Sequence, residues 1–335
     1  MSGRRAALFV TLFALSGLWP GLARSGPQQR SSGPTALLPA TEGAHNPLAR
    51  PAEGRLRLLN DDPFLPANTT VSDDARPIPP QYTDSSFFLS TIMQTEGPVS
   101  PAPVSGLTVP HHLLARNLIA RAFRFASASR PRRVIVLSPD HFNLGETVVS
   151  VAGRDLSTSL GRLRSDRDLA SALERLPFVR KQGFFYREHG VQAILPFISH
   201  HFPDARILVL CFKATTDQRE LDAIVDALIP RLDDDDLIVQ STDFSHYLDA
   251  AEAGRRDTET LAALQLSNPA RVLDLIQPDH LDSRAAQYLQ LRLQHERFGA
   301  SLQILAQANS QDYASETIPE TTSYIVQGYL RGQSP

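Results

Sequence analysis

Three places in this sequence set imidazole and carboxylate groups just past short apolar runs. Val134-Ile135-Val136-Leu137 leads through Ser138-Pro139 to Asp140 and His141. Leu237-Ile238-Val239 leads through Gln240 to Ser241, Thr242, Asp243 and His246, and Leu107-Thr108-Val109 leads through Pro110 to His111 and His112. A fourth pair, Glu188-His189, stands before a helical stretch. Imidazole is the commonest metal ligand near neutral pH, and a carboxylate either joins it or orients the ring. Taken singly, each residue reads as a turn or cap residue. The chain has only 10 histidines, so three such placements together point to one shared site. The candidate metal ligands are His111, His141 and His246. His246, Asp243, His189 and Glu188 are the candidate catalytic groups, with His246 as third ligand or general base, oriented by Asp243. A serine or cysteine nucleophile is disfavoured. The chain has no Gly-x-Ser-x-Gly elbow, and its one cysteine, Cys211, lies within the apolar run Ile207–Phe212.

These residues can meet only if the apolar runs are strands of one sheet. Mostly β-branched runs of this length read as buried parallel strands, and Pro139 stops the central one. In open α/β sheets ligands bind at the carboxyl ends of the strands, where all three histidine placements fall. Further strands are expected at Thr147–Val151, Ile207–Phe212, Ser301–Ala306 and Ser323–Tyr329. Helices are expected at Leu113–Phe125, Asp166–Leu176, Val191–His201, Asp217–Leu232, Ala250–Leu266, Asn268–Ile276 and Ser283–Phe298, the last ended by Gly299. Strands alternating with helices imply an α/β fold with a mostly parallel central sheet and helices on both faces. The acidic run Asp233–Asp236 reads as a solvated turn, since a calcium loop needs a specific twelve-residue pattern.

The first 25 residues join Arg4-Arg5 to an apolar run from Ala6 to Leu22 and a small-residue exit, the pattern of a secretory signal. Export to the periplasm or the extracellular space follows. If the segment stays uncleaved, it is the chain's one membrane contact. Residues 26–84 are rich in Pro, Ser and Gly and read as a disordered tether, leaving 85–335 as the folded domain. A net charge of −3, with no basic stripe interleaved with aromatics, argues against a nucleic-acid partner. A lone cysteine excludes an intramolecular disulfide and multi-cysteine zinc sites.

The order of these motifs resembles a known family. Pro110-His111, Ser138-Pro139-Asp140-His141, Glu188-His189-Gly190 through Pro196-Phe197, and Ser241-Thr242-Asp243-Phe244-Ser245-His246-Tyr247 are similar to the Memo family, called AmmeMemoRadiSam system protein B in prokaryotes. Thr158-Ser159-Leu160-Gly161, followed by Asp166, and the closing Ser323–Tyr329 are similar to that family's remaining elements. The resemblance covers roughly Leu107 to Leu330. It implies a class III extradiol dioxygenase-like fold, with metal held by histidines of the first two motifs and a late cysteine, and with the Asp-x-x-His motif beside it. Here Ser283 aligns with that cysteine, His112 replaces a small residue and Gly190 replaces serine. The implied cofactor is a divalent metal: iron, copper or zinc. With a hydroxyl in place of thiolate, nitrogen and oxygen ligands favour iron, manganese or zinc over copper(I).

Two functions fit. One is a non-haem metal-dependent oxidoreductase on a small-molecule substrate. The other is a non-catalytic binding or scaffold protein, with a protein partner, that keeps the fold. Metal-assisted hydrolysis rests on the rim chemistry alone. The resemblance and the residues leave the substrate open.

Overall fold

The computed structural model describes residues 76–266 and 268–332. The expected signal segment and the tether up to residue 75 lie outside the described residues. In chain order the elements are α1 (Ser85–Gln94), β1 (Val104–Val109), α2 (Arg116–Ala126), β2 (Arg133–Pro139), β3 (Val149–Ala152), β4 (Leu156–Thr158), β5 (Gly161–Ser165), α3 (Arg167–Leu173) and β6 (Val179–Gln182). They continue with α4 (His189–Gln192), α5 (Leu195–His201), β7 (Arg206–Phe212), α6 (Gln218–Leu228), β8 (Asp236–Ser241), β9 (His246–Leu248), α7 (Ala250–Leu264), α8 (Arg284–Leu293), β10 (Ser301–Asn309) and β11 (Thr321–Leu330).

The sheet order is β10-β11-β1-β8-β2-β7-β3-β6. Its centre is parallel: β1 pairs with β8, β8 with β2, and β2 with β7. The flanks add antiparallel pairs, β1 with β11, β11 with β10, and β3 with β7. The central strands are apolar on both faces because both faces are covered. Val134 and Val136 enter one core, with Phe123, Phe197 and Phe88 of α2, α5 and α1. Ile135 and Leu137 enter the other, with Leu173, Ile224 and Leu289 of α3, α6 and α8. The α/β architecture with a large central sheet is thus as expected, with the parallel arrangement concentrated in its middle.

Helix starts follow local chemistry. Asp166 caps α3 through the amide of Leu169. Asp217 and Glu220 form a capping box on α6. The long helix expected over Ser283–Phe298 begins one residue later, with Ser283 as its cap, and closes in a π turn, Gln294–Phe298, with Gly299 at φ 54°. Asn268–Ile276, expected as a helix, contains a 3-10 turn at Pro269–Asp274.

The packed chain starts before Ser85, where the tether was expected to continue. Ile78 is fully buried and bridges Leu156, donating its amide to Asp155 O and accepting from Ser157 N. Gln81 N donates to Gln192 Oε1. A proline-rich composition hid this because its buried anchor is a single isoleucine between prolines.

Candidate metal centre

Each site residue is delivered by a different element. His111 follows β1, and Pro110 turns the chain there. His141 follows β2 in a loop tied by Asp140, whose Oδ1 and Oδ2 accept from Leu144 N and Gly145 N at 2.9 Å each. His189 opens α4, whose N-cap is Glu188. Asp282 stands just before Ser283, the cap of α8.

Three rings converge. Ring nitrogens of His111, His141 and His189 lie within 4.8 Å of one another. The ring centroids are 4.8 Å apart for His111 and His141, 5.2 Å for His111 and His189, and 4.1 Å for His141 and His189. A carboxylate faces them: Asp282 Oδ2 lies 3.1 Å from His111 Nε2 and 3.6 Å from His141 Nε2. Its Oδ1 is buried with no hydrogen-bond partner.

The hydrogen bonds settle which ring nitrogens carry protons. Glu188, fully buried, accepts from His141 Nδ1 at 2.6 Å and from Gly190 N at 2.9 Å through Oε1, and from His141 N at 3.0 Å through Oε2. An acceptor-only carboxylate at Nδ1 makes that nitrogen the donor. Ser241 Oγ donates to Gly190 O, so its lone pair accepts from His111 Nδ1 at 3.1 Å. In both histidines Nδ1 is committed to a protein acceptor, and Nε2 is the atom left for a ligand. Gly190 is required here: a Cβ would sit 2.5 Å from Ser138 Oγ, 3.1 Å from Glu188 Oε1 and 3.1 Å from His141 Cε1.

Burial and charge then divide the rings. Burial alone would lower the pKa of His111, but the carboxylates of Asp243 and Asp282 outweigh it and raise it. Burial opposes His141 as well, yet its bonds to Asp282 and Glu188 push it up to about 10. His189 goes the other way, down to about 3, through burial and the positive charge of His111 and His141. Asp282 is held far below the usual carboxylate range; burial works against this and the two imidazoles override it. The pocket thus holds negative charge that two protons, or one dication, can balance.

Not every expected residue joins the group. His246 is outside the converging set. After β8 the chain does not stop at the rim but runs along β11: Phe244 N donates to Ser323 O, and His246 pairs with Thr322 inside β9. Its Nδ1 is buried without a partner. Asp243 sits against His111 rather than His246, accepting from His111 N at 3.0 Å through Oδ1, with Oδ2 3.6 Å from His111 Nε2. His112 bonds to Tyr324 OH through Nδ1 at 2.8 Å. Ser283, aligned with the family cysteine, spends its oxygen on the amide of Ala286 at 3.2 Å, and the neighbouring Asp282 faces the rings instead. The carboxylates of Asp233, Asp235 and Asp236 also lie close together, but they pair with Arg132 and Arg133; Asp233 and Asp234 are exposed as expected of a solvated turn, whereas Asp236 is buried at the start of β8.

A family model described as Memo-like protein matches residues 81–324. A MEMO1 family protein of Methanopyrus kandleri is 26% identical over 191 residues, covering 53% of this chain and 65% of that protein. A MEMO1 family protein of Pyrobaculum arsenaticum is 31% identical over 126 residues, covering 36% of this chain and 45% of that protein. The matched regions thus span from under half to just under two thirds of these relatives. Among solved structures, an uncharacterized protein from Escherichia coli K12 aligns over 67% of this chain and 99% of its own, at 14% identity and a TM-score of 0.44. The family model runs from before α1 into β11 and takes in His111, His141, His189 and Asp282 on the way: this chain belongs to the Memo-like protein family.

Proposed function

We propose that this protein is a non-haem metal-dependent oxidoreductase acting on a small molecule, with His111, His141 and Asp282 as ligands and His189 completing the site. The observation that carries this reading is the convergence of three ring nitrogens within 4.8 Å beside the Asp282 carboxylate, whose Oδ2 lies 3.1 Å from His111 Nε2 and whose Oδ1 is buried without a hydrogen-bond partner. Two imidazoles and one carboxylate are the donor set of non-haem iron oxygenases, and the same nitrogen and oxygen atoms suit zinc or manganese. A divalent metal held there supplies Lewis acidity or a redox centre.

The chain's own residues do the rest. Glu188 and Ser241 hold the two Nδ1–H groups, so each Nε2 faces inward. His189, kept neutral, offers a lone pair without first losing a proton. Phe142, half exposed, packs on His189 at 5.7 Å between ring centroids, an apolar ring that a substrate at this site would meet. Asp243, whose Oδ2 lies 3.6 Å from His111 Nε2, remains a candidate for proton transfer beside the ligands, and His246 one from outside the group. A non-catalytic binding role is supported by one feature: a hydroxyl committed to helix capping stands where the family's thiolate is expected. Export is supported by the sequence of the first 25 residues.

The test is metal content and turnover. Full-length protein purified without chelators should hold about one iron or zinc per chain, and H141A should hold none while remaining folded. Metal-loaded protein that consumes no oxygen with any aromatic or small organic reductant would favour the binding role. Wild-type protein that takes up no metal at neutral pH would end the proposal.

A further inference from the structure

A second cavity lies at the other end of the sheet, about 20 Å down β2 from His141 by strand length. It has a volume of about 690 Å³ and is bordered by the amino ends of β2 and β7 and the carboxyl end of β5. Strand register places Asp236 of β8, Arg133 of β2, Arg206 of β7 and Arg164 of β5 in one row. Arg133 is neutralised, its Nε 3.4 Å from Asp236 and 3.3 Å from Asp166. Arg206 and Arg164 are not: neither meets a carboxylate within 4.0 Å among the described residues, and neither does Arg130 at the cavity edge. Arg164 and Arg206 are both exposed, so water and salt screen their mutual repulsion, and a bound anion would give each the charged partner it lacks. His201 also lines the cavity, but burial and nearby His200 and Arg124 keep it neutral, down to about 4. Arg132 and Arg133 are matched by Asp166, Asp233, Asp235 and Asp236, so the unpaired groups of the lining are three arginines, Arg130, Arg164 and Arg206, against two aspartates, Asp168 and Asp204.

We propose that this cavity is a binding site for a phosphoryl group, gripped by Arg164 and Arg206 with Arg130 beside them. The guanidinium fork matches two phosphoryl oxygens at once, which a lysine cannot do. The volume falls within the roughly 300–1,000 Å³ typical of small-molecule sites, and buried Pro131, Phe202 and Ala205 supply an apolar wall. Free phosphate or a phosphorylated small molecule would satisfy the same forks. The site is independent of the metal centre and of the reaction proposed there.

Calorimetric titration of the full chain at fixed ionic strength tests this, with inorganic phosphate, adenosine monophosphate and adenosine as probes. Saturable binding of phosphate or of the monophosphate, with none of adenosine, is expected; whichever of the two binds tighter identifies the source. R164Q/R206Q should weaken binding by about tenfold or more, the loss of charge-assisted hydrogen bonds, while H141A binds as the wild type does. The double variant removes facing like charges, so its thermal midpoint should not fall. Should it fail to fold, R164K/R206K keeps the charge, removes the forks and should weaken binding in the same direction. No saturable binding of either phosphoryl probe, or equal binding by the variants, overturns the proposal and leaves the arginines to Asp168 and Asp204 at the rim.

Discussion

Replacing Glu188 by glutamine is the sharpest perturbation of the metal centre. It keeps shape and volume and removes one charge and one acceptor. Glu188 accepts three hydrogen bonds, two at Oε1 and one at Oε2. An amide must turn its NH2 toward one of these sets. Toward Oε1's place, it meets His141 Nδ1–H and Gly190 N–H, and the singly protonated His141 that can bind metal relieves the conflict only by carrying its proton on Nε2, the atom meant for metal. Toward Oε2's place, it leaves His141 N–H facing a donor in a fully buried position. Loss of an outer hydrogen-bond partner of this kind lowers metal affinity by about 10–100-fold, or about 1.4–2.7 kcal/mol. Losing charged hydrogen bonds also costs metal-free stability about 1.5–3 kcal/mol, a fall of several degrees in thermal midpoint for a domain of this size. Competition against a chromophoric chelator measures the first, and circular dichroism of the metal-free protein measures the second. A Glu188→Gln protein with wild-type affinity and midpoint would refute the account of His141's tautomer.

Other consequences can be checked together. His141, raised to about 10, is protonated in the metal-free fold across the neutral range. It contributes stability that is fully present below pH 6.5 and lost as pH rises through about 10, and that slope should vanish in H141A; the same proton competition makes metal binding tighten as pH rises over that window. I78A should destabilise the domain by about 2–5 kcal/mol in denaturant melts, as truncation of a buried isoleucine does; an unchanged midpoint would return residues 76–84 to the tether. G106A should cost about 1–3 kcal/mol, because its Cβ would fall 2.3 Å from Gln294 Nε2 and 2.5 Å from Gln290 Nε2. In the native host, N-terminal sequencing should find the mature chain starting at Arg24 or Gly26, and full-length cytosolic protein would refute export.

The sheet's middle was legible because its strands are continuous apolar runs closed by polar stops, and His111 and His141 follow such stops directly. His189 was legible as a candidate but not as the third ring of the group. The assumption that every strand end presents its next histidine to the rim favours His246. It fails at β8 because the chain past Ser241 keeps hydrogen bonding along β11. Glu188-His189-Gly190 held the better signal: an acid, an imidazole and a residue small enough for close approach, at a helix start. Asp282 was hidden by a different cause. Its place depends on two segments far apart in sequence holding each other: Asp282 N donates to Asp243 O, and Asp243 N donates to Asp282 Oδ2, both at 3.0 Å. No local pattern encodes that exchange. Alignment drew the eye to Ser283, one residue away, which the helix needs as its cap.

The helix behind Asp282 breaks the usual rule for a buried face. Gln287 and Gln290 of α8 and Gln294, which opens the π turn at its end, are all buried at positions where an amphipathic pattern would place apolar residues. Each reaches a strand. Gln294 exchanges bonds with Ser105 O and Ser105 Oγ of β1. Gln287 meets Gln240 of β8 at 3.2 Å and Gln327 of β11 at 3.2 Å. Gln240 in turn donates to Thr242, beside Asp243. An apolar face can slide along a sheet at little cost, whereas a shift of register would break the amide pairs of Gln287 and Gln294; Gln290 reaches Leu107 O and Ile238 O through Nε2, with its Oε1 buried and unpartnered. Gly106 lets the two backbones come close enough for these pairs to form. The strands that α8 grips, β1 and β8, are the ones whose ends carry His111 and Asp243. The polar seam therefore registers Asp282 against the same two strands that present its partners, and the metal centre's geometry is set along the length of the helix as well as at its tip.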